Sequence, residues 1–274
     1  MKTLVVIGAS GGIGYECVKE ILLHDENRWK IILGQRDHCS TKAIGALEDY
    51  RKIAPSDTLL APFTCDLASF SSIRSFVANL KEVRTINSLI FNAGCVMDSV
   101  PTYTEDGLET TYQVNHVGYW LLLKLLLDAG KTIDRIVFVN SALHRKGRDL
   151  SADECLISNQ RQQNYAYDGV KVYGNAKLVQ VLCVKTFVNA LERSRESGQV
   201  PEILICSPGF IPQSDLGGRL VALCATSPEY SGKLGLFIDK DRKESSLNPL
   251  AQDQALQKKW WLLTCKAAGI DPFI

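Results

Sequence analysis

Short apolar runs rich in β-branched residues alternate along this chain with segments of helical period, and that alternation restricts the fold more than any other feature. The runs are TLVVIGA, KIILGQ, TLLAPFTCD, NSLIFNAG, DRIVFVNSA, EILICSPG and, at 235–239, GLFID. Helix-period segments occupy 12–24, 41–54, 69–82, 107–129 and 168–195. Strands that are apolar throughout are buried on both faces, and intervening helices supply the crossovers that parallel strands require. The pattern predicts an α/β fold: a doubly wound, mostly parallel sheet of about seven strands, closed by GLFID, with helices on both faces. No repeat, low-complexity tract or Pro/Ser linker interrupts residues 1–274, so a single domain is expected. The loosest segments, 143–166 and 240–249, read as surface loops. Loops at the carboxyl ends of parallel strands are where ligands bind in such sheets.

Composition narrows the partners. The 274 residues are 46% hydrophobic, enough for a well-buried core. With 31 basic against 30 acidic residues, a formal net charge of +1 and no long run of either sign, the chain has no electrostatic footprint for nucleic acid or a membrane surface. Small-molecule partners are expected. No run of roughly 18 apolar residues suggests a membrane span, and Met1-Lys2-Thr3 leads directly into the first strand, leaving no room for a signal peptide. Nine scattered cysteines form no C-x-x-C pair and sit mostly in apolar runs. Reduced thiols and a cytoplasmic location are the expectation. His24, His38, His116 and His144 show no ligand spacing, so no metal is expected.

The first strand runs into a glycine turn, Gly8 to Gly14, that opens a helix: Gly8, then Ala9, Ser10 and Gly11, then Gly12, Ile13 and Gly14. Free N–H groups and the positive helix end favour a phosphate there, and glycines allow close backbone approach to a pyrophosphate. A plain strand-to-helix turn is the alternative. About twenty residues on, Gln35 stands where a carboxylate would accept from an adenosine ribose in NAD. Arg36 follows, and its guanidinium suits a 2′-phosphate, favouring NADP(H) over NAD(H). Asp37 serves the ribose if the strand ends one residue later, and a solvated Arg36 is the plainer reading. Asp66, with Leu67 behind it, ends the third strand; it either accepts from an adenine amino group or belongs to a helix N-cap.

Tyr173 and Lys177 stand at i and i+4, so they share a helix face and the ammonium lies near the phenol. A neighbouring cation favours the phenolate and brings the tyrosine toward proton exchange. Ser141, just past the fifth strand, is placed to donate to a substrate oxygen that gains charge during hydride transfer. Asn92, Ala93 and Gly94 end the fourth strand, and Asn115 lies inside a long helix among apolar neighbours, where its amide needs partners. His144 reads as structural or solvated, while Met97 and Asp98 are placed near substrate by loop position alone. Of the adjacent Trp260 and Trp261, one is expected in the core and the other at an interface or pocket wall.

Taken in order from Leu4 to Gly209, these residues resemble the short-chain dehydrogenase/reductases, whose fold is of Rossmann type. TEDGLETTYQVNHVGYWLL, YDGVKVYGNAKLVQVL and LQKKWWLLTCKAAG resemble most the retinol dehydrogenase and protochlorophyllide reductase branch. The resemblance implies an NADP(H)-dependent oxidoreductase acting on a carbonyl or alcohol of a fairly large apolar substrate. It makes Tyr173 the general acid and Lys177 the group that lowers its pKa and binds the nicotinamide ribose. Ser141 then positions the carbonyl, Asn115 holds a proton-relay water, and Pro208, Gly209 and Ile211 line the nicotinamide. It also implies a homodimer or homotetramer, often through the two long helices; the apolar stretch 178–188 suits that and ordinary sheet packing equally.

Three departures stand out. Ile7 replaces a frequent Thr that ties the glycine loop to the Asn-Ala-Gly turn, and NAKLVQ replaces SKLAN around Lys177. After Gly209 the branch's helical substrate lid is shortened. An open nicotinamide face suits a bulky substrate, cover by a partner subunit, or a non-redox role such as cyclase, isomerase, epimerase, regulator or scaffold.

Overall fold

The computed structural model describes residues 1–97, 99–158, 166–194, 200–209 and 214–273. Its strands are β1 (Lys2–Ile7), β2 (Trp29–Gln35), β3 (Leu59–Thr64), β4 (Thr85–Ile86), β5 (Ser88–Phe91), β6 (Thr132–Ile133), β7 (Arg135–Val139), β8 (Glu202–Cys206) and β9 (Leu234–Ile238). The helices are α1 (Gly12–His24), α2 (Thr41–Ile53), α3 (Phe70–Asn79), α4 (Thr110–Tyr112), α5 (Gly118–Asp128), α6 (Gly169–Ser194), α7 (Ser214–Thr226) and α8 (Gln254–Ala268). One π-helical turn, Gln113–Val117, joins α4 to α5.

Seven strands form one sheet in the order β3-β2-β1-β5-β7-β8-β9, and every neighbouring pair is parallel. The two short strands β4 and β6 pair separately. Pro62, which has no N–H to give, falls on β3, an edge strand where that loss is tolerated. From β1 the chain winds outward through β2 to β3, then crosses to β5 on the other side. That reversal opens a crevice at the carboxyl ends of β1 and β5, the place where such sheets take ligands.

Alternate strand residues feed two cores. Val5, Ile7, Phe91 and Phe138 face a layer built by α3, α5, α6 and α8, where Trp120, Trp260 and Trp261 are buried. Leu4, Val6, Val137 and Leu204 face α1, α2 and α7. Trp260 stacks on Tyr112 at 6.0 Å and Trp261 meets Trp120 edge-on at 4.9 Å, so both tryptophans are core and neither forms a pocket wall. The helix is wrapped by α5, α6 and the π turn, which gives an apolar setting to more than one face.

One further expectation needs correction. Residues 143–158 are not a loose surface loop: 3₁₀ turns cover Ala142–Lys146 and Leu150–Leu156, with His144 and Asp153 fully buried. The Asp153 carboxylate accepts from Tyr112 Oη at 2.7 Å and Asn175 Nδ2 at 2.8 Å, which allows a polar-looking segment to pack inside. Helix α7 was also not legible in the chain. It starts at Ser214, and its Gly217 and Gly218 lie so close to α1 that a Cβ on Gly218 would come within 2.5 Å of Glu16 Cβ. No helix among the described residues is long and apolar enough to cross a membrane.

Candidate active site

The crevice gathers the sequence-singled residues from several strand ends. Gly8 and Gly12 take φ of +93° and +56°, the left-handed region open to glycine, and this turn delivers the chain into α1. Gly14 packs against the Gly8 carbonyl and the Asn92 side chain, leaving no space for a Cβ, whereas a Cβ on Gly12 would meet nothing within 4 Å. The cradle is therefore closed behind and open in front. Gly11 caps α1 without a side-chain hydrogen bond, so the first-turn N–H groups at Gly12, Ile13 and Gly14 point outward with the helix dipole behind them. Ser10 is half-buried beside them. These features fit a dinucleotide's phosphates.

The missing hydroxyl at Ile7 is replaced by other ties. Asn92 Nδ2 donates to the Gly8 carbonyl at 2.9 Å, and the Ala93 N–H donates to the Ile7 carbonyl at 2.8 Å. The Tyr119 phenol donates to the Ala93 carbonyl. Gly94 lies against Asn115: a Cβ there would stand 2.7 Å from Asn115 Oδ1.

At the end of β2, Gln35 is buried and Arg36 and Asp37 are exposed. One Asp37 carboxylate oxygen accepts from the Cys39 N–H at 2.9 Å. Lys42, which the sequence reading passed over, lies across the glycine turn: a Cβ on Gly11 would be 2.5 Å from its Nζ. Its signal was a cation in the first turn of the helix after Arg36, where a side chain reaches back over the preceding strand end. Asp66 accepts from the Ala68 N–H at 2.9 Å, and Leu67 is buried with its carbonyl against Gly118. Pro208 and Gly209 follow β8, Gly209 at φ +80° beside the Lys240 stem. Ile211 and Asp98 lie outside the described residues.

Tyr173, Ser141 and Lys177 come together above β7. Tyr173 is half-buried, with the Ser141 side chain close enough to act on its phenol. Lys177 Nζ lies 5.8 Å from the Tyr173 ring centre and donates to the Val139 carbonyl at 2.9 Å. Burial raises the Tyr173 pKa above its ordinary value, the Ser141 hydroxyl works against it, and Cys95 adds to it. The expected depression by Lys177 is not what this geometry gives, because the ammonium is anchored on the strand and burial dominates. Lys177 is only 3% exposed, and burial lowers its own pKa to about 8, against upward pulls from Cys95 and Cys206.

Asn115 sits in the π turn, fully buried. Its Nδ2 donates to the carbonyls of Cys95 at 2.7 Å and Thr111 at 2.8 Å, while Oδ1 has no partner among the described residues. The Asn115 main-chain carbonyl accepts from Gln180 Nε2 at 3.1 Å. His144 is structural: Nδ1 meets the Ser141 carbonyl at 2.7 Å, the ring packs on Phe237, and burial lowers its pKa.

A half-buried phenol that keeps its proton, a hydroxyl beside it, and a cradle for phosphates share one crevice. That set can bind a dinucleotide and exchange a proton with a substrate oxygen beside it. Comparison with known proteins agrees. The short chain dehydrogenase family model matches residues 2–152. Mouse retinol dehydrogenase 14 is 28% identical over 300 residues, covering 98% of this chain and 86% of that protein. Zebrafish polyprenol dehydrogenase is 28% identical over 303 residues, covering 98% and 87%. Among solved structures, an uncharacterized protein from Mycobacterium paratuberculosis superposes with a TM-score of 0.79 at 22% identity, covering 100% of this chain and 96% of that one. NADPH-bound carbonyl reductase from chicken fatty liver gives 0.62 at 16% identity, covering 90% and 99%.

Proposed function

Because the chain belongs to the short-chain dehydrogenase/reductase family, in its retinol dehydrogenase-like branch, we propose that it is an NADP(H)-dependent oxidoreductase acting on a carbonyl or alcohol of a fairly large apolar substrate. The observation that carries this reading is the Tyr173 phenol, with Ser141 beside it and Lys177 5.8 Å from its ring, in the crevice that the glycine turn opens. The nicotinamide, when bound, supplies or takes the hydride.

This chain's own residues do the rest. The glycine turn from Gly8 to Gly14, with Asn92, Ala93 and Gly94 locked to it, would hold the dinucleotide. Arg36 and Lys42 bring two cations to that turn and support a 2′-phosphate, hence NADP(H) over NAD(H). Burial keeps the proton on Tyr173 Oη at neutral pH, which suits it to give that proton to a carbonyl oxygen. Ser141 Oγ orients the same oxygen. Lys177, with its proton weakly held, stands where it can restore the tyrosine. The relatives named for retinol and polyprenol, both long apolar alcohols, support an apolar substrate. A cytoplasmic location is part of the proposal.

The test is a panel of apolar aldehydes, ketones and alcohols followed by NADPH absorbance and fluorescence. Oxidation of NADPH by at least one carbonyl, with NADH markedly poorer, is the expected result. A second reading, a cofactor-binding protein with a non-redox role, draws on the shortened stretch that the sequence shows after Gly209, with α7 packed on α1 through Gly218. Tight NADPH binding with no oxidation by any member of the panel would favour it.

A further inference from the structure

Two buried side-chain amides join all the elements that carry the site. Asn140, directly after β7, is 4% exposed, and Gln180, one turn along α6 from Lys177, is fully buried. Asn140 Oδ1 accepts from the Ser141 N–H at 2.8 Å, and its Nδ2 donates to the Lys177 carbonyl at 2.9 Å and to Gln180 Oε1 at 2.7 Å. Gln180 Nε2 continues the chain to the Asn115 carbonyl in the π turn at 3.1 Å. Both amides are thus oriented by their partners, and strand end, helix and π turn are tied through one run of direct hydrogen bonds. π turns interrupt the ordinary helical ladder, so a carbonyl there is available for such a donor.

We propose that Gln180, fixed by Asn140, is a positioning residue for Ser141, Tyr173 and Lys177, and that its amide holds the Asn115 carbonyl in place. The proposal rests on the oxidoreductase reading above. Polar atoms this deeply buried are costly unless paired, so loss of the Gln180 amide either strands the Asn115 carbonyl or admits a water to it. The second outcome wets the ground beside Lys177. The titratable groups that face Lys177 are Tyr173 on its own helix, Cys95 after β5, Cys206 on β8 and His116 in the π turn. Among the described residues none of these is a carboxylate, which leaves hydration as the main lever on that ammonium.

Two substitutions separate positioning from packing. Gln180→Met keeps the length and removes both hydrogen bonds; Gln180→Ala also removes them but opens a polar-lined space that a water can fill. Melting curves and NADPH titrations establish that both variants fold and bind. Turnover is then read with the best carbonyl of the panel, and the Lys177 titration by NMR of ¹³C-lysine protein, assigned with Lys177→Arg. In Gln180→Met, kcat should fall about tenfold or more with KM within about twofold. Gln180→Ala should turn over faster than Gln180→Met despite losing more volume, and its Lys177 midpoint should rise by about one unit toward that of a solvated lysine. A packing role predicts the reverse order of the two variants. Wild-type turnover in Gln180→Met, or an unmoved Lys177 titration in both variants, would overturn the proposal. If the wild-type protein binds NADPH but reduces nothing, the oxidoreductase reading fails, and the NMR titration alone judges the positioning role.

Discussion

The Asn92 side-chain amide donates to the Gly8 carbonyl across 2.9 Å, joining the end of β5 to the glycine turn of β1. Gly14 packs against both groups, so the turn has no independent freedom on that side. Asn92→Leu leaves the Gly8 carbonyl without this donor and presses an apolar branch on the Gly14 backbone. Stability should fall by about 1–3 kcal/mol in urea unfolding, and NADP(H) should bind several-fold more weakly by fluorescence titration. Unchanged affinity would mean that the turn keeps its shape without Asn92.

Tyr173→Phe removes one hydroxyl and leaves the ring in place. Because burial keeps the phenol protonated and Ser141 lies beside it, the lost group is the proton donor rather than a packing element. Turnover should drop by roughly two to four orders of magnitude, with NADPH affinity within a few-fold of wild type. Full activity in the variant would remove Tyr173 from the proton-transfer role.

The strands were legible because a parallel sheet covered on both faces needs unbroken apolar runs, and each of the seven runs became a strand of the main sheet. Helix α7 was not legible because its Gly217-Gly218 pair argues against a helix locally. Tertiary contact reverses that preference, since only glycine lets α7 approach Glu16 and Cys17 so closely. Asn115 was recognisable as an amide in an apolar helix, but the π turn around it was not, because apolar period alone does not register one inserted residue. Lys42 was missed for a related reason: its reach over Gly11 depends on the angle at which α2 leaves β2, which sequence spacing does not carry.

Arg36 and Lys42 give a charge test of cofactor choice. If they receive a 2′-phosphate, Arg36→Leu should weaken NADPH by about 10- to 100-fold, the range for a charge-assisted bond. NADH, which lacks that phosphate, should change little. Lys42→Ala should act in the same direction, and the double variant should bring the two affinities close together. Equal losses for NADPH and NADH would place both residues on the shared part of the cofactor or on the fold.

His116 should make the protein acid-sensitive for a reason unrelated to turnover. It is fully buried, with Nε2 on Thr264 Oγ1 at 2.7 Å, and burial, helped by the Lys177 charge, lowers its pKa to about 3. The native state therefore keeps His116 neutral while the unfolded chain protonates it below about pH 6.5. With more protons bound to the unfolded state, stability falls as pH drops from about 6.5 toward 3, and His116 exerts no such effect above that window. Between pH 7 and pH 5 this one residue should account for about 2 kcal/mol of lost stability. His116→Asn, which can still meet Thr264 but does not titrate, should flatten that part of the urea-unfolding profile even if it lowers stability at pH 7. An acid limb of the same depth in the variant would assign the effect to other groups, with His144, also lowered by burial, the first to examine.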